Sequence, residues 1–124
     1  RMVLAQLDGL LAQGRESGLA VAKLADTKPD ALKALADAFM AQVGKPAVLL
    51  LGSDLGDSVA LACAVAEPLV AKGLKAGELV KLAAQRCGGN GGGRPTFAQA
   101  GGKDPSQLQA ALEAAAELAA SKLG

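Results

Sequence analysis

A glycine-rich run bordered by basic side chains is the part of this chain best suited, by composition, to bind another molecule. It covers residues 88–103, Gly-Gly-Asn-Gly-Gly-Gly-Arg-Pro-Thr-Phe-Ala-Gln-Ala-Gly-Gly-Lys, and holds seven of the sixteen glycines. Glycine has no Cβ, so another molecule can approach its backbone N–H groups closely. A run with so few side chains contributes little to a hydrophobic core, which indicates that its backbone serves recognition.

The positive charge of the chain is concentrated around these glycines. Residues 79–103 carry +4 and contain no Asp or Glu, whereas the whole chain has a net charge of +1. This distribution favours a polyanionic partner. The chain has only two aromatic residues, Phe39 and Phe97, which argues against binding through rows of bases stacked on aromatic rings.

Two known phosphate-binding patterns do not fit the glycine-rich run. The Walker pattern requires Ser or Thr after Gly-Lys, but Asp104 follows Lys103. The dinucleotide pattern G-x-G-x-x-G, begun at Gly89, would need a glycine where Arg94 stands. A flexible linker is the remaining alternative. The specific residues 94–100 inside the run, and the capped helix predicted directly after it, argue against a linker.

The residue types that build metal and redox sites are scarce. The chain has no His and only two cysteines, Cys63 and Cys87, so we expect no structural zinc site, no metal and no cofactor. Both cysteines fall in predicted regular elements, which indicates buried reduced thiols, with a disulfide as the alternative. No apolar run approaches the roughly 20 residues that cross a bilayer, so we expect a soluble chain without a membrane partner.

The periodicity of apolar residues predicts a single small α/β (α+β) domain, a mixed sheet covered by helices. Residues 1–18 are predicted to be the end of a longer helix and a connector, broken at Gly14, and residues 19–124 the globular domain with a loop at 88–103. Because the chain begins Arg-Met, we expect it to be a piece of a longer protein. The predicted helices are 2–13, 29–43, 74–87 and one from Pro105 capped by Asp104, and the predicted strands are 19–25, 47–52 and 58–66.

Two segments of the sequence, Gly-Gly-Gly-Arg-Pro at 91–95 and Ala-Gln-Ala-Gly-Gly-Lys-Asp-Pro at 98–105, resemble the C-terminal end of alanyl-tRNA synthetases of the bacterial or organellar type. Residues 73–80 and 49–53 support the resemblance, which covers the chain from Leu19 to Leu123. The corresponding domain, called C-Ala, is of the DHHA1 type that is also attached to DHH-family phosphoesterases and nucleases.

The resemblance implies a domain without catalytic residues in a parent enzyme that is an ATP-dependent alanine–tRNA ligase. In that family the domain binds the tRNA elbow, where the D and T loops meet, and so couples aminoacylation with editing. The implied partners are tRNA, foremost tRNA-Ala, the rest of the synthetase and, in some members, a second copy. The implied location is the cytoplasm of a bacterium or an organelle. Nuclease relatives usually place a histidine after their glycines, where this chain has Arg94, so a hydrolase is not expected.

The candidate RNA-binding residues combine the motif positions with nearby basic side chains: Lys81, Arg86, Gly91, Gly92, Gly93, Arg94, Gln99, Gly101, Gly102 and Lys103. Two of the residues in the run allow a second interpretation. Arg94 either contacts RNA or bonds to the last carbonyls of the preceding helix. Phe97 is either a packing anchor or a platform for an exposed base.

A module for dimerisation or protein interaction, without strong RNA binding, is the rival function. The helix predicted over residues 2–13 carries Leu4, Leu7 and Leu11 on one face, and a fragment this short leaves such a face in need of a partner. Concentration-dependent size in sedimentation would reveal such a role. The two functions are compatible, and a fragment that dimerises but shows no tRNA affinity at low salt would leave interaction alone standing.

Overall fold

The computed structural model describes the backbone of residues 2–124 and the side chains of residues 5–124. It contains one five-stranded sheet with helices on both faces, which confirms the predicted fold class. The elements follow in the order α1 (Met2–Ser17), β1 (Leu19–Ala25), α2 (Pro29–Gln42), β2 (Val48–Asp54), β3 (Val59–Val65), α3 (Glu67–Val70), α4 (Ala76–Arg86), β4 (Asn90–Gly93), β5 (Phe97–Gly102) and α5 (Leu108–Leu123), with a 3₁₀ turn at Pro105–Gln107 before α5.

The strand order in the sheet is β1-β2-β3-β5-β4. Strands β1 and β2 are parallel and are joined through α2, whereas every other neighbouring pair is antiparallel. The predicted β2–β3 hairpin is therefore confirmed, with Val48 opposite Val65. The four-residue helix α3 was not expected from the sequence.

The two central strands are apolar throughout because both faces of the sheet are covered. Leu49 and Leu51 of β2 face α1 and α2, where they pack around the fully buried ring of Phe39. Val48 and Leu50 face the opposite way and pack against α4 and α5. The chain thus has three layers, and β5 and β4 form one side of the sheet, with β4 at its edge.

Helix α1 is longer than the sequence pattern indicated. A break was expected at Gly14, but the helix continues to Ser17. Gly14 lies where α1 crosses α2, and a Cβ there would stand 2.7 Å from Phe39 Cζ. The glycine therefore permits close contact between the two helices and does not interrupt α1.

The apolar side of α1 is buried within the chain itself. Leu7, Leu10 and Leu11 are each less than a tenth exposed and belong to the core formed with α2. Leu4 lies outside the residues whose side chains are described. Since the chain supplies the partner for Leu7 and Leu11, these residues no longer argue for a dimer.

The same helix covers the outer edge of the sheet at β1. The Gln13 side chain accepts from Val21 N–H and donates to Val21 O, and the Ser17 hydroxyl likewise contacts both backbone groups of Leu19. These side chains occupy the hydrogen-bonding groups that an edge strand otherwise presents to other chains. At the opposite edge, β4, no other element within residues 2–124 provides such side-chain hydrogen bonds, and Gly91 N–H is taken by the side chain of Asn90 in the same strand.

Cys63 and Cys87 are free thiols, and both are buried, as expected. Burial raises the pKa of the Cys63 thiol far above its ordinary value. The pKa of Cys87 is also raised, by burial first and then by the Asp104 carboxylate. Both groups are therefore held in the protonated form.

We expect both thiols to resist Ellman's reagent in the folded protein at pH 8 and to react fully in denaturant, because the thiolate is the reacting species. Each thiol has a higher pKa in the folded than in the unfolded chain, so its stabilising contribution is complete below the ordinary pKa of 9.0 and is lost as the pH rises above it. Urea unfolding between pH 7 and 10 measures this loss, which should be smaller in Cys63→Ala. Rapid labelling of both thiols in the folded protein would contradict this.

Candidate nucleic-acid interface

The glycine-rich run is a β-hairpin and not the loop that was expected. Gly88 adopts a positive φ of 72°, and Gly89 N–H donates to Ala84 O at 2.8 Å, so the chain reverses directly after α4. It then forms β4, turns at Pro95-Thr96 and returns as β5. A Cβ at Gly89 would collide with the backbone of Gly101 and Gly102. Glycine thus allows two backbones to approach closely. A glycine-rich composition is equally typical of a flexible loop, so composition alone does not distinguish the two.

The hairpin leaves the outer edge of β4 open. Arg94 N–H donates to Phe97 O, and hydrogen-bonded pairs alternate with other pairs along an antiparallel ladder. Gly92 therefore belongs to a pair that bonds to β5, whereas the backbone groups of Gly91 and Gly93 point away from it. The N–H of Gly91 is taken by the Asn90 side chain at 2.9 Å. All four residues of β4 are exposed.

A shallow groove separates this edge from α4. We call it the glycine groove; it has a volume of about 310 Å³ and is lined by Lys75, Gly77, Glu78, Lys81, Gly91, Gly92, Gly93 and Pro95. The hairpin and the helix are held together at one end by Ala76 N–H, which donates to Pro95 O at 2.8 Å. A Cβ at Gly77 would lie 3.0 Å from Gly93 O, so glycine on both elements keeps the groove narrow at that end.

The N-terminus of α4 lies at this narrow end and adds to the positive potential. The first turn of a helix carries partial positive charge, although in α4 the N–H of Ala76 donates to Pro95 O and the N–H groups of Glu78 and Leu79 donate to Lys75 O. Lys75 is the residue that precedes α4, and Glu78 in the first turn is the one acidic residue that lines the groove. Lysines, helix dipole and exposed glycine backbone together suit an anionic ligand.

The basic side chains of this region are unpaired. Lys75, Lys81, Arg86, Arg94 and Lys103 are exposed and form neither an ion pair nor a side-chain hydrogen bond within residues 2–124. Elsewhere, Arg15 donates to Gln42 O and Val43 O, Lys45 to Arg15 O and Lys122 to Gly73 O, whereas Lys23 and Lys28 are exposed and unpaired among residues 5–124. Free cations are what binding to a polyanion requires.

The expected site residues fall on three surfaces. Lys81, Gly91 and Gly93 face the glycine groove. Gly92, Gln99 and Gly101 share the opposite, α2-facing side of the hairpin, because residues paired across a ladder share a face, although the backbone of Gly92 also lines the groove. Arg94 lies on the α2-facing side as well, since its N–H pairs it with Phe97. Arg86 and Lys103 meet at the C-terminal end of α4, where Lys103 N–H donates to Cys87 O at 2.8 Å.

The helix-capping interpretation of Arg94 is wrong. The antiparallel course of the hairpin places Arg94 beside the first residue of α4, next to Pro95, and so at the wrong end of that helix to reach its last carbonyls. The role expected for Arg94 is performed by Arg15, whose guanidinium donates to the carbonyls that end α2. Arg94 stays free for an external contact.

Two of the expected site residues have contacts inside the domain. Gln99 Nε2 donates to Pro29 O at 2.9 Å, which ties β5 to the start of α2. A Cβ at Gly102 would lie 2.6 Å from Cys87 Cβ, so this glycine is explained by packing beneath the end of α4. Neither contact excludes RNA from the exposed atoms of these residues.

Phe97 is half-buried and packs against the core beneath α2, as the anchor interpretation proposed. Lys33 of α2 lies over its ring, with Nζ 5.2 Å from the centroid, within the range of a cation–π contact. Lys33 is also bonded to Asp37 at 3.1 Å. A base that stacks on this ring would therefore have to displace Lys33.

Two basic residues near the hairpin were missed at the sequence level. Lys75 lines the glycine groove, and Lys33 covers Phe97. Lys75 lies in the segment 73–80 that supported the resemblance, so its position in the sequence could have indicated it as a candidate RNA-binding residue. Nothing in the sequence indicates that Lys33, 64 positions before Phe97, lies beside it.

Neither a metal cluster nor a membrane span was found among the described residues. Within residues 2–124, no three His, Cys, Asp or Glu side chains are grouped to hold a metal ion. The same part of the chain has no helix that is long and apolar enough to cross a bilayer.

Residues 16–121 match the DHHA1 domain family. The chain is 43% identical over 118 residues to a probable chloroplastic/mitochondrial alanine–tRNA ligase of Ostreococcus tauri, with 92% of this chain and 12% of that protein covered. It is 39% identical over 127 residues to the alanine–tRNA ligase of a Nostoc species, with 100% of this chain and 14% of that protein covered. The chain thus spans about one eighth of the length of these relatives.

Solved structures show the same fold. The chain resembles the C-Ala domain of Aquifex aeolicus alanyl-tRNA synthetase with a TM-score of 0.73 and 27% identity, over 82% of this chain and 90% of that one. It also resembles a DHH-domain protein described as a member of the s1p family of ribosomal proteins, with a TM-score of 0.59 and 15% identity, over 92% of this chain and 29% of that one. The second likeness concerns the fold alone.

Proposed function

Because the chain belongs to the DHHA1 domain family, in the C-Ala form of alanyl-tRNA synthetases, we propose that it binds tRNA through the elbow. Bound there, the domain holds one tRNA within reach of both the aminoacylation and the editing centre of the parent ligase. The domain itself contributes affinity and position, and the chemistry takes place elsewhere in the parent.

The observation that carries this proposal is the set of free basic side chains beside the exposed edge of β4. Lys75, Lys81 and Arg94 surround a strand of three glycines and have no partner of their own within residues 2–124. Over residues 72–103 the chain has six basic residues and one acidic residue. Such a surface suits a polyanion whose backbone approaches closely.

The geometry favours recognition by shape. The glycine groove is shallow and open, and three of the four residues of β4 are glycines, so base-specific hydrogen bonds have few side-chain donors and acceptors to use. Folded RNA is recognised in this way through phosphates, 2′-hydroxyls and its overall form. The elbow has a similar form in nearly all tRNAs, so this domain provides little discrimination between amino acids.

Binding to intact tRNA should be compared with binding to a minihelix that keeps the acceptor stem and lacks the elbow. We expect intact tRNA to bind at least about tenfold more tightly at low salt, which corresponds to about 1.4 kcal/mol, because the phosphates of the elbow are missing from the minihelix. Fluorescence anisotropy over a salt series measures both affinities.

Equal affinity for the two RNAs would contradict docking at the elbow, even if both bind. Absence of binding to either RNA at low salt would contradict RNA binding altogether. Sedimentation of the same samples then tests the rival function, since a dimer without RNA affinity supports an interaction module.

A further inference from the structure

Gly92 is the one glycine of β4 that the fold does not require. A Cβ at Gly91 would collide with the Ala100 side chain, and one at Gly93 would lie 2.8 Å from Ala98 Cβ. A Cβ at Gly92 meets nothing within 4 Å, and its φ is not in the left-handed region. Glycine inside a strand is unfavourable by roughly 0.5–1 kcal/mol relative to alanine. Such a glycine often marks close approach by another molecule.

The backbone of Gly92 lines the glycine groove, but a Cβ at this position would project from the α2-facing side of the hairpin, opposite to that groove. Gly92 pairs with Gln99, whose neighbours on the same face are Phe97 and Gly101. Gln99 Nε2 is bonded to Pro29 O, while Oε1 accepts no hydrogen bond within residues 2–124. The surface therefore offers a flat floor and a free acceptor beside the Phe97 ring, which Lys33 already covers; these suit a ribose hydroxyl and a base edge.

Helix α2, which borders this face, is electrically balanced, in contrast to α4 beside the glycine groove. Helix α2 with its N-cap residue carries two basic and two acidic residues, and one of each sign, Lys33 and Asp37, forms an ion pair. Helix α4 with its N-cap residue carries three basic residues and one acidic residue. Arg94, at the tip of the hairpin opposite Phe97, is the cation that the hairpin adds to the α2-facing side.

We propose that RNA contacts β4 from both sides, with phosphates in the glycine groove and a ribose-and-base surface against Gly92 on the α2-facing side. With no side chain on its glycines, β4 is thin enough for an RNA strand to pass around its edge. The proposal rests on the tRNA-binding function above. Under this proposal, the part of the RNA affinity that does not depend on salt comes from the α2-facing side, where the charge of Lys33 is neutralised by Asp37.

The test is the variant Gly92→Ala, which adds one methyl group to open space and should leave the fold intact. We expect it to weaken binding to intact tRNA by about tenfold, because the methyl group holds the RNA away from the strand. The slope of log K against log salt should stay unchanged, since every phosphate keeps its basic partner. By contrast, Lys81→Ala should reduce the magnitude of that slope by about one.

Gly9→Ala is the matched control. Gly9 is exposed on α1, and a Cβ there also meets nothing within 4 Å. Thermal melting of all variants verifies the fold. If wild-type protein binds tRNA and Gly92→Ala binds equally well, the two-sided contact is wrong and the proposed function stands. A smaller salt slope in Gly92→Ala would show an ionic face and overturn the proposal as well. If wild-type protein fails to bind tRNA, both proposals fall.

Discussion

Replacing Lys75 and Lys81 together with alanine should weaken tRNA binding on the order of 100-fold at low salt. Each lysine lines the glycine groove and is free of ion pairs within residues 2–124, so each can form a charge-assisted hydrogen bond worth about 1.5 kcal/mol. The slope of log K against log salt should fall in magnitude by about two, because each lysine neutralises one phosphate. Anisotropy titrations at several salt concentrations measure both quantities.

The matched control for this variant replaces Lys23 and Lys45 with alanine. Those lysines are exposed and lie on β1 and after α2, and the change alters net charge by the same amount. Because Lys45 also donates to Arg15 O, thermal melting of both double variants verifies the fold. If the lysines act only through the net charge of the protein, both double variants should weaken RNA binding equally. If Lys75 and Lys81 contact phosphates directly, only the groove variant should weaken it. Equal weakening would therefore contradict the placement of phosphates in the glycine groove.

Phe39→Ala should produce the largest decrease in stability among single changes in this chain. The ring of Phe39 is fully buried at the centre of the core between α1, α2 and the sheet. Truncating a buried phenylalanine costs about 3–5 kcal/mol, because the ring's apolar packing is removed and a cavity remains. That is a large part of the total stability of a small domain. Urea unfolding followed by circular dichroism measures the difference.

A double-mutant cycle with Gly14 tests whether the ring and the helix are as close as the structure shows. Gly14→Ala alone should destabilise the protein, because the new Cβ would lie 2.7 Å from Phe39 Cζ and overpacking costs about 1–3 kcal/mol. In the Phe39→Ala background the same change should cost less, since the ring contact is gone, Val43 Cγ2 at 3.0 Å is the remaining close neighbour, and alanine is favoured over glycine in helices by about 1 kcal/mol.

Gly9→Ala, in open space on the same helix, serves as the control and should stabilise the protein in both backgrounds. If the effect of Gly14→Ala is the same with and without the Phe39 ring, the two positions are not in contact. The explanation for the unbroken course of α1 would then fail.

The elements with strong local patterns were predictable. Helix α2 has its apolar residues at helical spacing between Pro29 and a terminating Gly44, and β2 is a continuous apolar run, so both were located within two residues. Asp104 begins the last helical segment as predicted, with its carboxylate accepting from Ser106 N–H at 3.0 Å. In each case the signal depends on residues within one turn or one strand.

Glycine was the residue type that the local pattern could not interpret. At Gly14 it was read as the end of a helix and in residues 88–103 as a loop, and both readings were wrong. In both places glycine serves close packing, against Phe39 in the first case and between β4 and β5 in the second. A contact between residues distant in sequence decides this, and composition carries no information about it.

The sequence by itself determined the family, the concentration of positive charge around residues 79–103 and the layered α/β architecture, because these depend on residue identity and local periodicity. Only the tertiary structure decided that the glycine-rich run is an edge strand with two different faces. Pairing across the ladder divides Gly91 and Gly93 from Gly92, and packing places Lys75 and Lys33 on opposite sides of them. Which face a residue presents follows from strand register and from neighbours brought together by folding, and these exist only in three dimensions.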